Sequence, residues 1–197
     1  MNLENKIKTI FLETGTDKAE SHGYERYYAS IFENYTPKSL LEIGIKEGRS
    51  IAAWNILFPN TKISGLDITE KNILKNLNLL TDASLFIGDS TKKESLNFFP
   101  ENFDVIIDDG SHFYKDILKT FNNFKHKFND FYVIEDAMYK IKFMKKFIER
   151  SGEYSVEILP SKVENVHVDH TFLQHNYYSS NSKKIKINLY MLVVRKI

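Results

Sequence analysis

What most constrains this chain is a repeated unit: a short β-branched, aliphatic or aromatic run ending in Gly or Asp, followed by a longer segment with helical spacing. A strand that feeds a crossover helix and returns parallel is the structure such a unit favours. Seven runs read as strands, 39–43, 62–67, 84–87, 103–108, 131–134, 155–159 and 186–194. The intervening segments 50–58, 70–80, 92–98, 114–128 and 138–150 read as short helices. Near-continuous apolar stretches such as Val105-Ile106-Ile107 belong in a mostly parallel sheet with helices on both faces. In the last strand Ile185, Ile187, Leu189, Met191 and Val193 alternate, and no helix separates it from its predecessor, which predicts antiparallel insertion.

Before the first strand, Ile7, Ile10 and Phe11, then Tyr24, Tyr27, Tyr28, Ile31 and Phe32, mark two helices around a polar loop, 14–23. A long polar stretch, 161–184, has no helical period and reads as a lid or irregular insertion. At 197 residues we expect one domain, 1–197, with segment 1–36 contributing to a cofactor site and 160–184 forming a lid or substrate loop. The absence of Cys excludes disulfides, thiolate zinc sites and cysteine nucleophiles. Lys and Arg total 27 against 26 Asp and Glu, so no broad field attracts nucleic acid or anionic membrane. Residues 1–8 lack the apolar core of a signal peptide, and no run approaches the about 20 apolar residues of a membrane span. The expectation is a cytoplasmic protein whose partners must be argued from its sites.

The strand ends carry the chemistry. Leu41-Glu42-Ile43-Gly44, with Gly48 and Ser50 following, is an apolar strand running into a glycine-bearing turn and a helix, the place where open α/β sheets bind ligands. Lys46 occupies the position of the middle glycine of a dinucleotide-binding turn, which weakens a pyrophosphate reading. Gly65-Leu66-Asp67 puts a carboxylate where it can accept ribose hydroxyls, and Gly88-Asp89-Ser90 is placed for an adenine edge. Next, Ile107-Asp108-Asp109-Gly110-Ser111-His112 sets two adjacent acids at a strand end, and Ile134-Glu135-Asp136 delivers a second pair to the same edge. Adjacent carboxylates repel unless a cation, a proton or hydrogen bonds offset them. Asp109, Glu135 and Asp136 suit a hard divalent ion such as magnesium, and His112 suits a general base toward a metal-activated hydroxyl.

Blander readings compete: strand-end acids cap helices, and His112 packs at the surface. Two acidic pairs coinciding with the glycine turn favour a site. His167, Asp169, His170 and His175 form a second metal-like group in the polar stretch, read as a surface loop able to touch a substrate. Lys140, Lys142, Lys145, Lys146 and Arg150 read as a solvated helix face.

Together, Thr16-Asp17-Lys18, His22-Gly23-Tyr24, Leu41-Glu42-Ile43-Gly44, Gly65-Leu66-Asp67-Ile68, Gly88-Asp89, Ile106-Ile107-Asp108-Asp109-Gly110-Ser111-His112 and Val133-Ile134-Glu135-Asp136 resemble the metal-dependent sugar O-methyltransferases of the mycinamicin macrolide type, which include cephalosporin-hydroxylase-like members. The resemblance runs from about Thr16 to Asp136. It implies a Rossmann-like class I methyltransferase fold, with S-adenosylmethionine contacted by Tyr24, Glu42, Gly44, Asp67, Asp89 and Ser90. It further implies magnesium on Asp109, Glu135 and Asp136, with His112 as base. We expect Thr16, Gly48, Ser50, Ile68 and Asp108 to join the cofactor-binding set.

The glycine turn is less glycine-rich than that family's, and the large N-terminal auxiliary domain of the macrolide enzymes has no counterpart here. The match fades from Ala137 onward, where an acceptor pocket would be shaped. The expected activity is O-methylation of a hydroxyl on a sugar, a polysaccharide precursor or another small vicinal diol. The alternatives are a metal-dependent hydroxylase-like enzyme on the same scaffold and a non-catalytic binding module. A homo-oligomer could form through the aromatic N-terminal helix.

Overall fold

Residues 1–73, 80, 82–162 and 188–197 are described by a computed structural model. The chain begins with α1 (Leu3–Thr14), the single-turn α2 (Asp17–Glu20) and α3 (Glu25–Phe32). It then runs β1 (Ser39–Ile43), α4 (Arg49–Leu57), β2 (Lys62–Asp67), β3 (Ala83–Ile87), a 3-10 helix (Lys93–Phe98), β4 (Phe103–Asp108), α5 (Tyr114–Phe124), β5 (Phe128–Ala137), α6 (Ile141–Glu149), β6 (Tyr154–Pro160) and β7 (Tyr190–Lys196).

The seven strands form one sheet in the order β3-β2-β1-β4-β5-β7-β6. Pairs β1/β2, β2/β3, β1/β4 and β4/β5 are parallel, and β7 lies antiparallel between β5 and β6. From β1 the chain first builds outward through β2 and β3, then crosses back to place β4 on the other side of β1. That reversal leaves a crevice beyond the carboxyl ends of β1 and β4, where loops leave in opposite directions.

Period-2 alternation divides the core. Val105 and Ile107 of β4 pack with α1, α3 and α4 through Phe11, Tyr28 and Trp54, while Ile106 faces Phe121 and Met144 of α5 and α6. Both faces are covered, as the apolar runs require. The same holds for β7. The sequence suggested one apolar face, but Leu192 and Val194 are as buried as Met191 and Val193, because this strand is interior to the sheet.

Several boundaries shift for local reasons. Segment 92–98 forms a 3-10 helix rather than an α-helix, with Ser95 N donating to Lys92 O and Phe99 N to Leu96 O. The expected helix 114–128 ends at Phe124, and β5 claims Phe128, whose side chain is fully buried. At its other end β5 continues to Ala137, so α6 starts at Ile141, after Lys140 in the left-handed region at φ +55°. The polar loop 14–23 contains the helical turn α2. Most of the expected helix 70–80, the beginning of the expected last strand and nearly all of 161–184, with His167, Asp169, His170 and His175, lie outside the described residues. Among the described residues, no helix is long and apolar enough to cross a membrane.

Candidate active site

β1 exits into Gly44, whose φ is +85°. A Cβ at this position would stand 2.1 Å from the Asp109 carbonyl oxygen, so the turns after β1 and β4 meet backbone against backbone. Gly44 N donates to Leu66 O and Asp109 N donates to Ile43 O, both at 2.8 Å. Asp67, at the end of β2, braces this turn: its Oδ2 accepts from Ile45 N and Lys46 N, each at 2.9 Å, and its Oδ1 accepts from Thr69 N at 3.1 Å. Lys46 itself is left-handed, at φ +48°.

Beyond these strand ends opens a cleft of about 830 Å³. Of the residues expected to bind the cofactor, Thr16, Gly44, Ser50, Asp67, Ile68, Asp89 and Ser90 line it, and so do Asp109, His112 and Asp136. Hydrogen bonds from the Thr91 hydroxyl (2.7 Å) and backbone (2.9 Å) hold the Asp89 carboxyl below its ordinary range. The Ser90 hydroxyl pairs with that of Thr120 at 2.9 Å. Asp17, which lay in a quoted motif without an assigned role, and Arg49 and Asn72, to which no motif pointed, also line the cleft.

Five expected residues do not reach it. Gly48, at φ +82°, caps α4, and a Cβ there would meet the Leu80 side chain at 2.3 Å. Asp108 is buried beneath the turn, where it accepts from Tyr132 Oη at 3.2 Å and Gly110 N at 3.3 Å, and burial pushes its carboxyl up to about 7. Glu42 accepts from Trp54 Nε1 at 3.1 Å. Tyr24 is buried, stacks on His22, and donates its hydroxyl to Asp136 Oδ1 at 2.6 Å. Glu135 accepts from the Tyr28 hydroxyl and from Lys18.

Neighbouring residues on β5 therefore have different fates. The pairing of β5 with β7 shifts between Ile134 and Ala137, and Asp136 takes φ +51°. Glu135 points inward to Lys18, whereas Asp136 reaches the cleft. Burial works against charge on Asp136, but His22 Nδ1 at 3.1 Å and the Tyr24 hydroxyl hold it low, at about 2. Asp109, His112 and Asp136 each offer a donor atom within 4.8 Å of one another. His112 sits at φ +60°, with Nε2 4.0 Å from Asp109 Oδ1 and a buried Nδ1 that has no partner among the described residues. Non-glycine residues in the left-handed region cost energy and gather where a site over-determines the backbone. Lys46, His112 and Asp136 follow that pattern.

Behind the cleft lies Lys18, 1% exposed. Its Nζ is 2.7 Å from Glu135 Oε2, 2.8 Å from Asp109 Oδ2 and 3.2 Å from Glu42 Oε1. Burial disfavours its charge, but the three carboxylates outweigh burial and raise its pKa well above the ordinary value.

No family model matches the chain. Over 129 residues it is 32% identical to mycinamicin VI 2''-O-methyltransferase of Micromonospora griseorubida, a stretch covering 58% of this chain and 31% of that protein. The chain thus spans about a third of the length of that curated relative. It superposes on the MycE methyltransferase from the mycinamycin biosynthetic pathway, solved in complex with Mg and SAH, with a TM-score of 0.58 and 25% identity over 74% of this chain and 41% of that one. The plantazolicin methyltransferase BamL, in complex with a triazolic desmethylPZN analog and SAH, superposes with a TM-score of 0.59 at 14% identity over 98% and 99% of the two chains. The chain has the class I methyltransferase fold. Its relationship to the mycinamicin-type enzymes, expected from the motifs, is borne out by the sequence match.

In this class I fold, the cleft lies at the point where the strand order reverses, and β1, β2, β3 and β4 each end on it. The motifs located that edge because glycine and acid follow each strand. Sequence reading assigned no role to Lys18, Tyr28, His22 or Tyr132. Lys18, His22 and Tyr28 sit in N-terminal segments where a period or a loop composition carries no information about a distant carboxylate.

Proposed function

We propose that this chain is an S-adenosylmethionine-dependent and divalent-metal-dependent O-methyltransferase acting on a hydroxyl of a sugar or another small vicinal diol. One observation carries the reading: Asp109, His112 and Asp136 converge within 4.8 Å on the wall of the same cleft that Gly44, Asp67 and Asp89 line. The donor chemistry fits a divalent ion such as magnesium, since two carboxylates leave sites for water and substrate. Gly44, Asp67 and Asp89, on three neighbouring strand ends, suit a nucleoside lying across that edge of the sheet. The complex of MycE with Mg and SAH supports the assignment.

Asp109 and Asp136 would hold the ion, with Glu135 behind them on Lys18. Thr16, Ser50, Asp67, Ile68, Asp89 and Ser90 would contact the nucleoside, and in this way segment 1–36 contributes to the site. When bound, the ion supplies Lewis-acid activation of a ligated hydroxyl and the cofactor supplies a sulfonium methyl group. His112 would accept the proton that the acceptor hydroxyl gives up on taking the methyl group, the carbon–sulfur bond of the donor breaking as the carbon–oxygen bond forms. Tyr24 and His22 keep Asp136 ionised and fixed. Positioning of the two substrates on one rigid strand edge supplies much of the rate.

Because His112 belongs to the donor group, the same three side chains would also suit iron in a hydroxylase-like enzyme. S-adenosylhomocysteine distinguishes the two. At about one hundred times its Kd it should stabilise the protein by about 2.7 kcal/mol, read as a rise in melting temperature; no rise would remove the methyltransferase reading. His112→Ala should lower kcat by roughly 10²- to 10⁴-fold with S-adenosylhomocysteine and metal binding retained. A fully active variant would show that another group takes the proton.

A further inference from the structure

We propose that Lys18 is a positioning residue for the cation site: its buried ammonium fixes Asp109 so that one carboxylate oxygen faces the cleft, with Glu42 and Glu135 as the other two anchors. The inference rests on the metal-dependent reading above and extends it to residues that touch neither the cleft nor the reacting atoms.

An ammonium has three N–H donors. Here two donate, to Asp109 Oδ2 and Glu135 Oε2, and the ammonium is also ion-paired with Glu42 Oε1 at 3.2 Å; the three oxygens come from different strand ends, Glu42 on β1, Asp109 just after β4 and Glu135 on β5. The two anchors are themselves pinned. The second oxygen of Glu42 accepts from Trp54 Nε1, and that of Glu135 accepts from the Tyr28 hydroxyl. Trp54 and Tyr28 belong to one fully buried aromatic cluster, their ring centroids 4.9 Å apart. The ammonium is therefore held by the core and not by the single helical turn that carries it. Asp109 differs from the anchors: Oδ2 is on Lys18, and Oδ1 is the oxygen that approaches His112 Nε2, at 4.0 Å. Fixing Oδ2 from behind aims Oδ1 at the place where Asp136 and His112 converge.

A tethered ammonium suits this position. Three carboxylates gathered in the interior repel one another, and without a cation between them they turn apart. Such a turn would spoil Asp109 as a ligand. Two consequences of removing Lys18 then oppose each other in sign. By Coulomb's law alone, losing a positive charge beside the site tightens the binding of a divalent ion. Losing the group that orients a ligand weakens it. The geometry favours the second effect, because Asp109 has no other hydrogen-bond donor among the described residues.

The test is Mn²⁺ binding to metal-free protein, read from the paramagnetic resonance of free Mn²⁺, for wild type, Lys18→Met and the charge-conserving Lys18→Arg. Calorimetric binding of S-adenosylhomocysteine checks that the cleft is intact. Lys18→Met should bind Mn²⁺ about 10- to 100-fold more weakly, the range typical of groups that orient metal ligands, with S-adenosylhomocysteine binding kept within about threefold. Lys18→Arg should also weaken Mn²⁺, by about three- to tenfold, since a planar guanidinium cannot address three converging strand ends as an ammonium does. Unchanged or tighter Mn²⁺ binding by Lys18→Met would overturn the positioning role and leave the metal-dependent reading standing. If Lys18→Met does not fold, Lys18→Arg decides alone, and wild-type affinity in that variant overturns the proposal. A wild-type protein that binds no Mn²⁺ overturns both.

Discussion

Asp109→Asn is expected to lower methyl transfer by about 10³-fold or more while leaving S-adenosylhomocysteine affinity within about threefold. The two halves of that result come from different atoms of the same residue. The side chain meets Lys18 through Oδ2 and faces the proposed cation position, on the His112 side, through Oδ1, and an amide cannot serve both as a charged acceptor. If its oxygen keeps Lys18, its NH₂ group faces the incoming cation. The backbone of Asp109 does separate work: its N–H donates to Ile43 O, and its carbonyl packs against Gly44. Both contacts survive the substitution, so the nucleoside half of the cleft keeps its shape. Steady-state rates with any acceptor the wild type turns over, paired with calorimetry, check the separation. Undiminished turnover would remove Asp109 from the mechanism, and a parallel loss of S-adenosylhomocysteine binding would show that the two halves are not separable.

Gly44→Ala is expected to damage the nucleoside half instead. A left-handed non-glycine residue costs about 1–3 kcal/mol, and here a Cβ would also sit 2.1 Å from the Asp109 carbonyl oxygen, which belongs to backbone and cannot rotate aside. The turns after β1 and β4 must then separate. We expect a loss of stability of about 3 kcal/mol or more and S-adenosylhomocysteine binding weakened beyond about 100-fold, measured by denaturant unfolding and calorimetry. Wild-type stability and affinity in this variant would contradict the close approach.

The sequence is most informative where burial is symmetric. β1, β2 and β4 are found at their expected bounds because each is a short, largely apolar run closed by glycine or acid, too brief for a buried helix. β5 is longer than its pattern suggests. Asn129 and Asp130 are exposed near its start and resemble a turn, while Glu135 and Asp136 resemble its end. The acids at the cleft were visible because the fold delivers strand ends to one edge, so composition there reports location. Which of Glu135 and Asp136 faces the cleft was not visible, since that depends on the register shift beyond Ile134. Lys18 was still less legible. A lysine in a polar loop has the composition of solvent, and only the arrival of three distant carboxylates turns it into a buried charge.

The placement of β7 bears on how such a chain is made. β5 and β6 are not bonded to each other, and both wait for Tyr190–Lys196 to slot between them. During synthesis on the ribosome, β5 therefore presents an open hydrogen-bonding edge for as long as the polypeptide between Pro160 and Tyr190 is still emerging. Such edges recruit foreign strands. The nascent chain is consequently exposed to such pairing until Tyr190–Lys196 has emerged, with the far half of the sheet still unjoined.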